Sequence, residues 1–119
     1  MAIKLETHKI ELPALPYWNI EEMTGYKPIT TFWEDFTIAE LMDGAEGVKD
    51  TYKRAFEEWK TDYKYLTELV MVLNWKIWQH YEKKPELAKL YEDLYYKADG
   101  YALDNLEGEE KQYYFETTD

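Results

Sequence analysis

Between Tyr63 and Lys83 the chain is apolar on two sides of a helix, and that segment limits how everything else can be arranged. At 100° per residue, Leu66, Leu69, Val70, Leu73, Ile77 and Tyr81 form one stripe, whereas Met71, Trp75 and Trp78 project from the opposite side. A helix with two apolar faces is either covered on both or lends one to a partner. The chain holds three or four other helical segments, enough for two of them to sandwich this one, so a central position is expected. Should a covering element be lacking, Met71, Trp75 and Trp78 become the candidate protein-contact face, since exposed aromatic and Met side chains anchor partners.

The neighbouring segments repeat the helical period on a single face. Over 46–61, Val48, Tyr52, Ala55, Phe56, Trp59 and Tyr63 recur at three- and four-residue spacing. Asp50/Arg54, Lys53/Glu57 and Arg54/Glu58 stand opposite them as i,i+4 pairs of opposite sign. Arg54 is the only arginine, and these two carboxylate neighbours account for it as part of a self-paired solvated face. Upstream, Thr31-Phe-Trp-Glu34 has capping-box spacing and predicts a helix over 32–43 that stops at Gly44. Asn19-Ile-Glu-Glu22 predicts one further turn, ended by Thr24-Gly25 and Pro28. Downstream, Pro85 opens a helix over 85–107 with Leu87, Leu90, Tyr91, Leu94, Ala98, Tyr101 and Ala102 inward, Gly100 as a kink or close helix approach, and Gly108 as the stop.

The two ends read differently. Ile3, Leu5 and Thr7 alternate with Lys4, Glu6 and His8, and Pro13 and Pro16 deny backbone donors, so residues 1–18 are expected as an extended arm. The tail from Gln112 to Thr118 carries β-prone Tyr113, Tyr114, Phe115, Thr117 and Thr118, which makes a short two-stranded pairing with the N-terminal segment an option. The expected fold is therefore a single all-α, or mostly α, domain over 1–119. Helices at 32–43, 46–61, 63–83 and 85–107 would form a compact three- to four-helix bundle with an extended N-terminal arm.

Composition removes most chemistry. The 21 aromatic residues among 119, with 45% hydrophobic content, supply a core and rule out a disordered acidic tail. Without Cys or Ser there is no disulfide, thiolate zinc site, or Ser or Cys nucleophile. His8 and His80 are the only histidines, and no carboxylate stands three or four residues before His80, so a hydrogen-bonded core histidine is expected there rather than a metal ligand. Glu34/Asp35 and Glu92/Asp93 are adjacent pairs that diverge by about 100° on a helix and do not share a site. Five glycines in no phosphate-loop pattern leave nucleotides without a cradle. No catalytic residue, metal, cofactor or small-molecule substrate is expected, and the chain reads as non-enzymatic. No run approaches the roughly 18 apolar residues of a membrane span, and Met1 to Leu15 carries charges where a signal peptide needs an apolar core. A cytoplasmic protein without membrane contact is the expectation.

The charge of -11 is unevenly placed. Residues 1–48 hold nine acids and three bases, 49–84 six acids and eight bases, and 85–119 ten acids and three bases. This excess argues against direct nucleic-acid binding, which needs clustered Lys and Arg. It raises instead the idea of phosphate mimicry by a candidate acidic surface of Glu86, Glu92, Asp93, Asp104, Glu107, Glu109 and Glu110. The segment 85–107 has six acids and two bases over roughly 35 Å of helix, or one net charge per ~9 Å. Against about one charge per 1.7 Å of B-DNA axis that is too dilute by about fivefold, so mimicry requires acids from both ends to gather on one side.

Ala14-Leu-Pro-Tyr-Trp18, Thr30-Thr-Phe-Trp-Glu-Asp-Phe36, Asp50-Thr-Tyr-Lys-Arg-Ala-Phe-Glu-Glu-Trp59, Tyr63-Lys-Tyr-Leu-Thr-Glu-Leu-Val-Met-Val-Leu-Asn74 and the terminal Thr-Thr-Asp119 carry a resemblance over nearly the whole chain. The chain resembles small, acidic, uncharacterised proteins of prophages and integrative mobile elements in gut Firmicutes. That resemblance implies a small accessory product acting in the bacterial cytosol, and it brings over no functional residue. The expected role is a protein-interaction module whose partner is another protein or a second copy of the chain. The alternative is an acidic, DNA-mimic-like anti-defence inhibitor of a host nucleic-acid-binding enzyme.

Overall fold

Five helices follow one another in the computed structural model, which describes residues 20–118: α1 (Ile20–Thr24), α2 (Phe32–Trp59), α3 (Tyr63–His80), α4 (Pro85–Asn105) and α5 (Gly108–Thr118). The protein is an all-α bundle, and the described residues contain no strand. The arm expected over 1–18 lies outside the described residues.

α3 is the central element. Asp62 starts it by accepting from the backbone N–H groups of Lys64 and Tyr65, at 3.1 and 3.3 Å, which satisfies two donors left open by the first turn. Leu66, Leu69 and Leu73 are completely buried against α2 and α4, and Met71 and Val72 are buried on the other side. That second side is covered in part by Tyr26, whose ring packs on Trp75, and by α5, which packs against α3. The helix ends at His80, one turn before the expected Lys83, and α4 ends at Asn105 because Leu106 turns extended while its N–H still closes on Ala102.

The segments expected as separate helices over 32–43 and 46–61 are the two helical arms of α2, and the first stops at Gly44 as expected. Its φ of 61° and ψ of -139° leave the helical region, and a side chain there would be strained. The bend is sharp. A β-carbon placed on Gly47 would lie 2.6 Å from the carbonyl oxygen of Ala39, whereas eight residues of straight helix separate two positions by about 12 Å. Gly47→Ala is therefore expected to destabilise the protein by about 1–3 kcal/mol, because backbone must move to admit the methyl group. Gly100 behaves oppositely. Nothing lies within 4 Å of its added β-carbon and α4 runs through it unbroken, so it marks neither the expected kink nor a close helix approach. Gly100→Ala should stabilise by about 0.5–1 kcal/mol through helix propensity. Urea unfolding of the two variants checks the opposite signs.

The expected strand pairing of the tail is replaced by α5. Glu109 and Glu110 complement the positive end of its dipole, and Gly108 supplies the left-handed turn (φ 58°) that reverses the chain after Leu106. Tyr114 is buried with its hydroxyl donating to Asp99, and Tyr113 packs edge-on to Tyr63 at 5.2 Å. The aromatic run is β-prone alone, but as a helix it buries Tyr114 on α4 and sets Tyr113 on α3. No helix among the described residues is long and apolar enough to cross a membrane.

Candidate functional site

Three elements meet at one carboxylate. Glu40, in the first arm of α2, has its Oε2 3.0 Å from His80 Nε2 and 3.2 Å from Lys76 Nζ, and the Tyr91 hydroxyl of α4 donates to the same oxygen. Lys76 also donates to the Thr37 hydroxyl at 2.7 Å, and its ammonium sits 4.2 Å from the centre of the Trp33 ring. Thr37 passes the bond on to the Trp33 carbonyl at 2.8 Å. Lys76 is fully buried and the Glu40 side chain nearly so, hence every donor and acceptor must be met internally.

The electrostatics follow from that crowding. Desolvation pushes the Glu40 carboxyl up, but the His80 hydrogen bond, the Lys76 charge and the Tyr91 hydroxyl outweigh it and hold it below its ordinary 4.5. Lys76 goes the other way. Burial lowers it from 10.5 to about 8, and the single carboxylate does not restore it. Glu40 has three donors on one oxygen while Lys76 has one charged partner, so the ammonium is the group that gives way. Tyr91 is pushed well up, first by burial and then by the Glu40 charge. An amine lowered toward neutral pH would be a nucleophile if a substrate could reach it. Here it is closed off, and neither of the two principal clefts is lined by any member of the cluster. Its role is to set the relative register of α2, α3 and α4.

A second buried carboxylate organises the entry to α2. Glu68 of α3 accepts from the N–H groups of Ile29 and Thr30, each at 2.9 Å, and from the Thr30 hydroxyl. The Thr30 hydroxyl in turn accepts from Phe32 N–H at 3.1 Å, and Thr31 donates its hydroxyl to Asp35. Thr31 stands at the helix start as expected, but its side chain makes no capping bond to the backbone.

The three expected contact residues separate. Met71 is buried at 6% exposure, which removes it from any surface. Trp75 is half-buried and tilts against Tyr26 at 5.8 Å. Only Trp78 stands out, 66% exposed, beside Tyr81 at 62%. His80 meets one carboxylate, together with a competing lysine, and no group of three metal-ligating side chains occurs among the described residues. The acidic candidates lie on the outer face of α4 and at the corner into α5. Glu86, Asp93, Asp104, Glu107, Glu109 and Glu110 are exposed and Glu92 is partly covered. Lys89 and Lys97 interleave with them, and Lys89 reaches both Glu92 and Asp93, at 3.5 and 3.3 Å. Glu86, Asp93 and Asp104 are spaced by seven and eleven residues, roughly 10 and 16 Å along the helix, far wider than phosphates.

Arg54 departs from its expected account. Among the described residues it forms no ion pair within 4.0 Å, with Asp50, Glu58 or any other acid. It lines a cleft of about 350 Å³ on the inside of the α2 bend, with Asp35, Asp43, Asp50 and Glu58. Phe32, Ile38, Ala39, Met42, Ala55 and Trp59 give the same cleft an apolar lining. Lys76 and Glu68 were the residues that sequence reasoning passed over. Lys76 stands seven residues after Leu69 and three after Leu73, a charged residue on an apolar stripe, and that mismatch is the signal it left. Set against protein-family models, curated proteins and solved structures, the chain matches none.

Proposed function

We propose that the protein is a non-enzymatic protein-interaction module of a mobile element, acting in the bacterial cytosol and holding its partner through the exposed end of α3. The supporting observation is the Trp78–Tyr81 pair. Two aromatic side chains more than 60% exposed, with ring centres 5.8 Å apart, are costly to leave in water and are enriched among the residues that dominate binding energy. The partner is another protein or a second copy of the chain. The alternative, an acidic inhibitor working by phosphate mimicry, has less support, because the α4 acids are widely spaced and partly neutralised by Lys89 and Lys97.

Affinity capture from bacterial lysate, at low and high salt, tests the proposal when the wild type is compared with Trp78→Ala/Tyr81→Ala. A partner that survives high salt and is retained at least tenfold less by the variant is the expected result. Light scattering over a concentration series reads self-association in the same pair of proteins. A partner held equally by both, or lost at high salt from both, overturns the aromatic reading.

A further inference from the structure

We propose that the cleft inside the α2 bend is a docking site for a basic amphipathic helix of a partner protein. The cleft is separate from the aromatic end of α3, so the inference stands independently of the reading above. Asp35, Asp43, Asp50 and Glu58 face one base, Arg54, and none of the five forms an ion pair within 4.0 Å among the described residues. Four acids against one base leave the cleft with an excess of negative charge, and its concave, partly apolar wall strengthens that field. At Asp35, burial and then the nearby Glu34 push the carboxyl up, while the Thr31 hydroxyl and the Arg54 charge pull it down.

The apolar lining selects against a purely ionic ligand. Phe32, Ile38 and Trp59 line the cleft, and Met42, 41% exposed, continues onto Leu41 at 43%. A volume of about 350 Å³ is at the small end of binding pockets and holds a few side chains rather than a whole cofactor. Because both walls are arms of one helix, the groove between them accepts the side-chain ridge of a third helix. Such a helix would seat Leu-like residues on Met42, Phe32 and Trp59 and turn Lys or Arg toward Asp43, Asp50 and Glu58. The sharp approach at Gly47 holds the two arms at the angle that keeps the cleft open.

The test is calorimetric titration of the full-length protein with a synthetic amphipathic Leu/Lys helix, beside a peptide of the same composition scrambled to lose the helical period. The expected result is saturable one-to-one binding of the amphipathic peptide and at least fivefold weaker binding of the scrambled one. Asp43→Asn/Asp50→Asn/Glu58→Gln should weaken binding about tenfold, whereas Glu86→Gln/Asp93→Asn/Asp104→Asn, which removes the same charge from α4, should change it less than twofold. Arg54→Gln should tighten binding about two- to fivefold, because it removes the one repulsive charge. Met42→Ser should weaken it through the apolar wall. Equal losses in the two triple variants would reduce the effect to general acidity and overturn the site. Equal binding of the scrambled peptide, or no saturable binding, would overturn it as well. Circular dichroism of each variant confirms that the helices remain.

Discussion

Glu68→Ala is expected to remove about 3–5 kcal/mol of stability, a large share of the roughly 5–15 kcal/mol of a small domain. The carboxylate is fully buried and its two oxygens accept three hydrogen bonds from Ile29 and Thr30, across nearly forty residues of sequence. Removing it takes the charged acceptor from two backbone N–H groups, of which Thr30 is half-buried and Ile29 more open to water. Glu68→Gln should recover only part of the loss. A carboxylate offers acceptors on both oxygens, whereas an amide must point its NH₂ at one of those N–H donors and repel it. The damage should be local before it is global: hydrogen exchange at Ile29 and Thr30 should quicken in the Gln variant under conditions where the amides of α3 stay protected. Chemical unfolding of both variants, read by circular dichroism, gives the energies. A Gln variant as stable as the wild type would show that the turn before α2 does not depend on the charge.

The second large effect is expected at Glu40. Glu40→Ala should cost about 3–5 kcal/mol by leaving Lys76 buried without its carboxylate and Tyr91 and His80 without their acceptor. Glu40→Leu combined with Lys76→Met should cost far less than Glu40→Ala alone, since an apolar pair avoids the desolvation of both charges. The pH dependence carries a definite sign. The Glu40 carboxyl titrates lower folded than unfolded, so its stabilisation is complete above about pH 4.5 and is lost as pH falls through the folded value. Lys76 contributes the reverse slope at high pH. Between about 8 and 10.5 the unfolded chain still holds a proton that folded Lys76 has released, so stability rises with pH, by on the order of 3 kcal/mol at most. Above the ordinary tyrosine value of 10.0, Tyr91 and Tyr114 remain protonated in the fold and ionise when unfolded, which turns the curve down. A stability maximum between pH 8 and 10 is therefore expected in the wild type. In Lys76→Met the rise toward it should be missing, and denaturant midpoints measured across that range decide the matter.

Much of the bundle is legible in the amino-acid sequence because helical periodicity is a local property. The two-faced segment from Tyr63 predicts a helix covered on both sides, and α3 is covered on its first side and over part of its second, with Trp78 left exposed; Pro85 opens a helix, and α4 starts there. The stop at Gly44 and the helix after it are legible as well, since glycine readily tolerates that φ, but the angle between the two arms is not. The angle depends on Gly47 meeting Ala39, a contact that no local pattern contains. The tail misleads for a related reason. Tyr113, Tyr114 and Phe115 favour a strand in isolation, and only the pocket offered by α3 and α4, with Asp99 waiting for the Tyr114 hydroxyl, makes the helix the better burial.

The candidate sites divide along the same line. That Trp78 would face outward from the second side of its helix is readable from 100° steps alone, but Met71 lies on that side too and is buried, because α5 and Tyr26 reach one part of the face and leave the other. For Arg54 the sequence offers two helical partners at i,i+4, yet side-chain direction leaves it lining the cleft without either. Local pattern in the amino-acid sequence accounts for where α1 to α4 start, which stripe of each is apolar, and how unevenly charge is spread. Only the packing of the helices puts Lys76, His80 and Tyr91 on one oxygen of Glu40, sets Glu68 to cap a turn almost forty residues away, and gathers four acids around Arg54 inside a bend. Propensity and periodicity act over a few residues, whereas the pairing of buried charge depends on which chains meet in space.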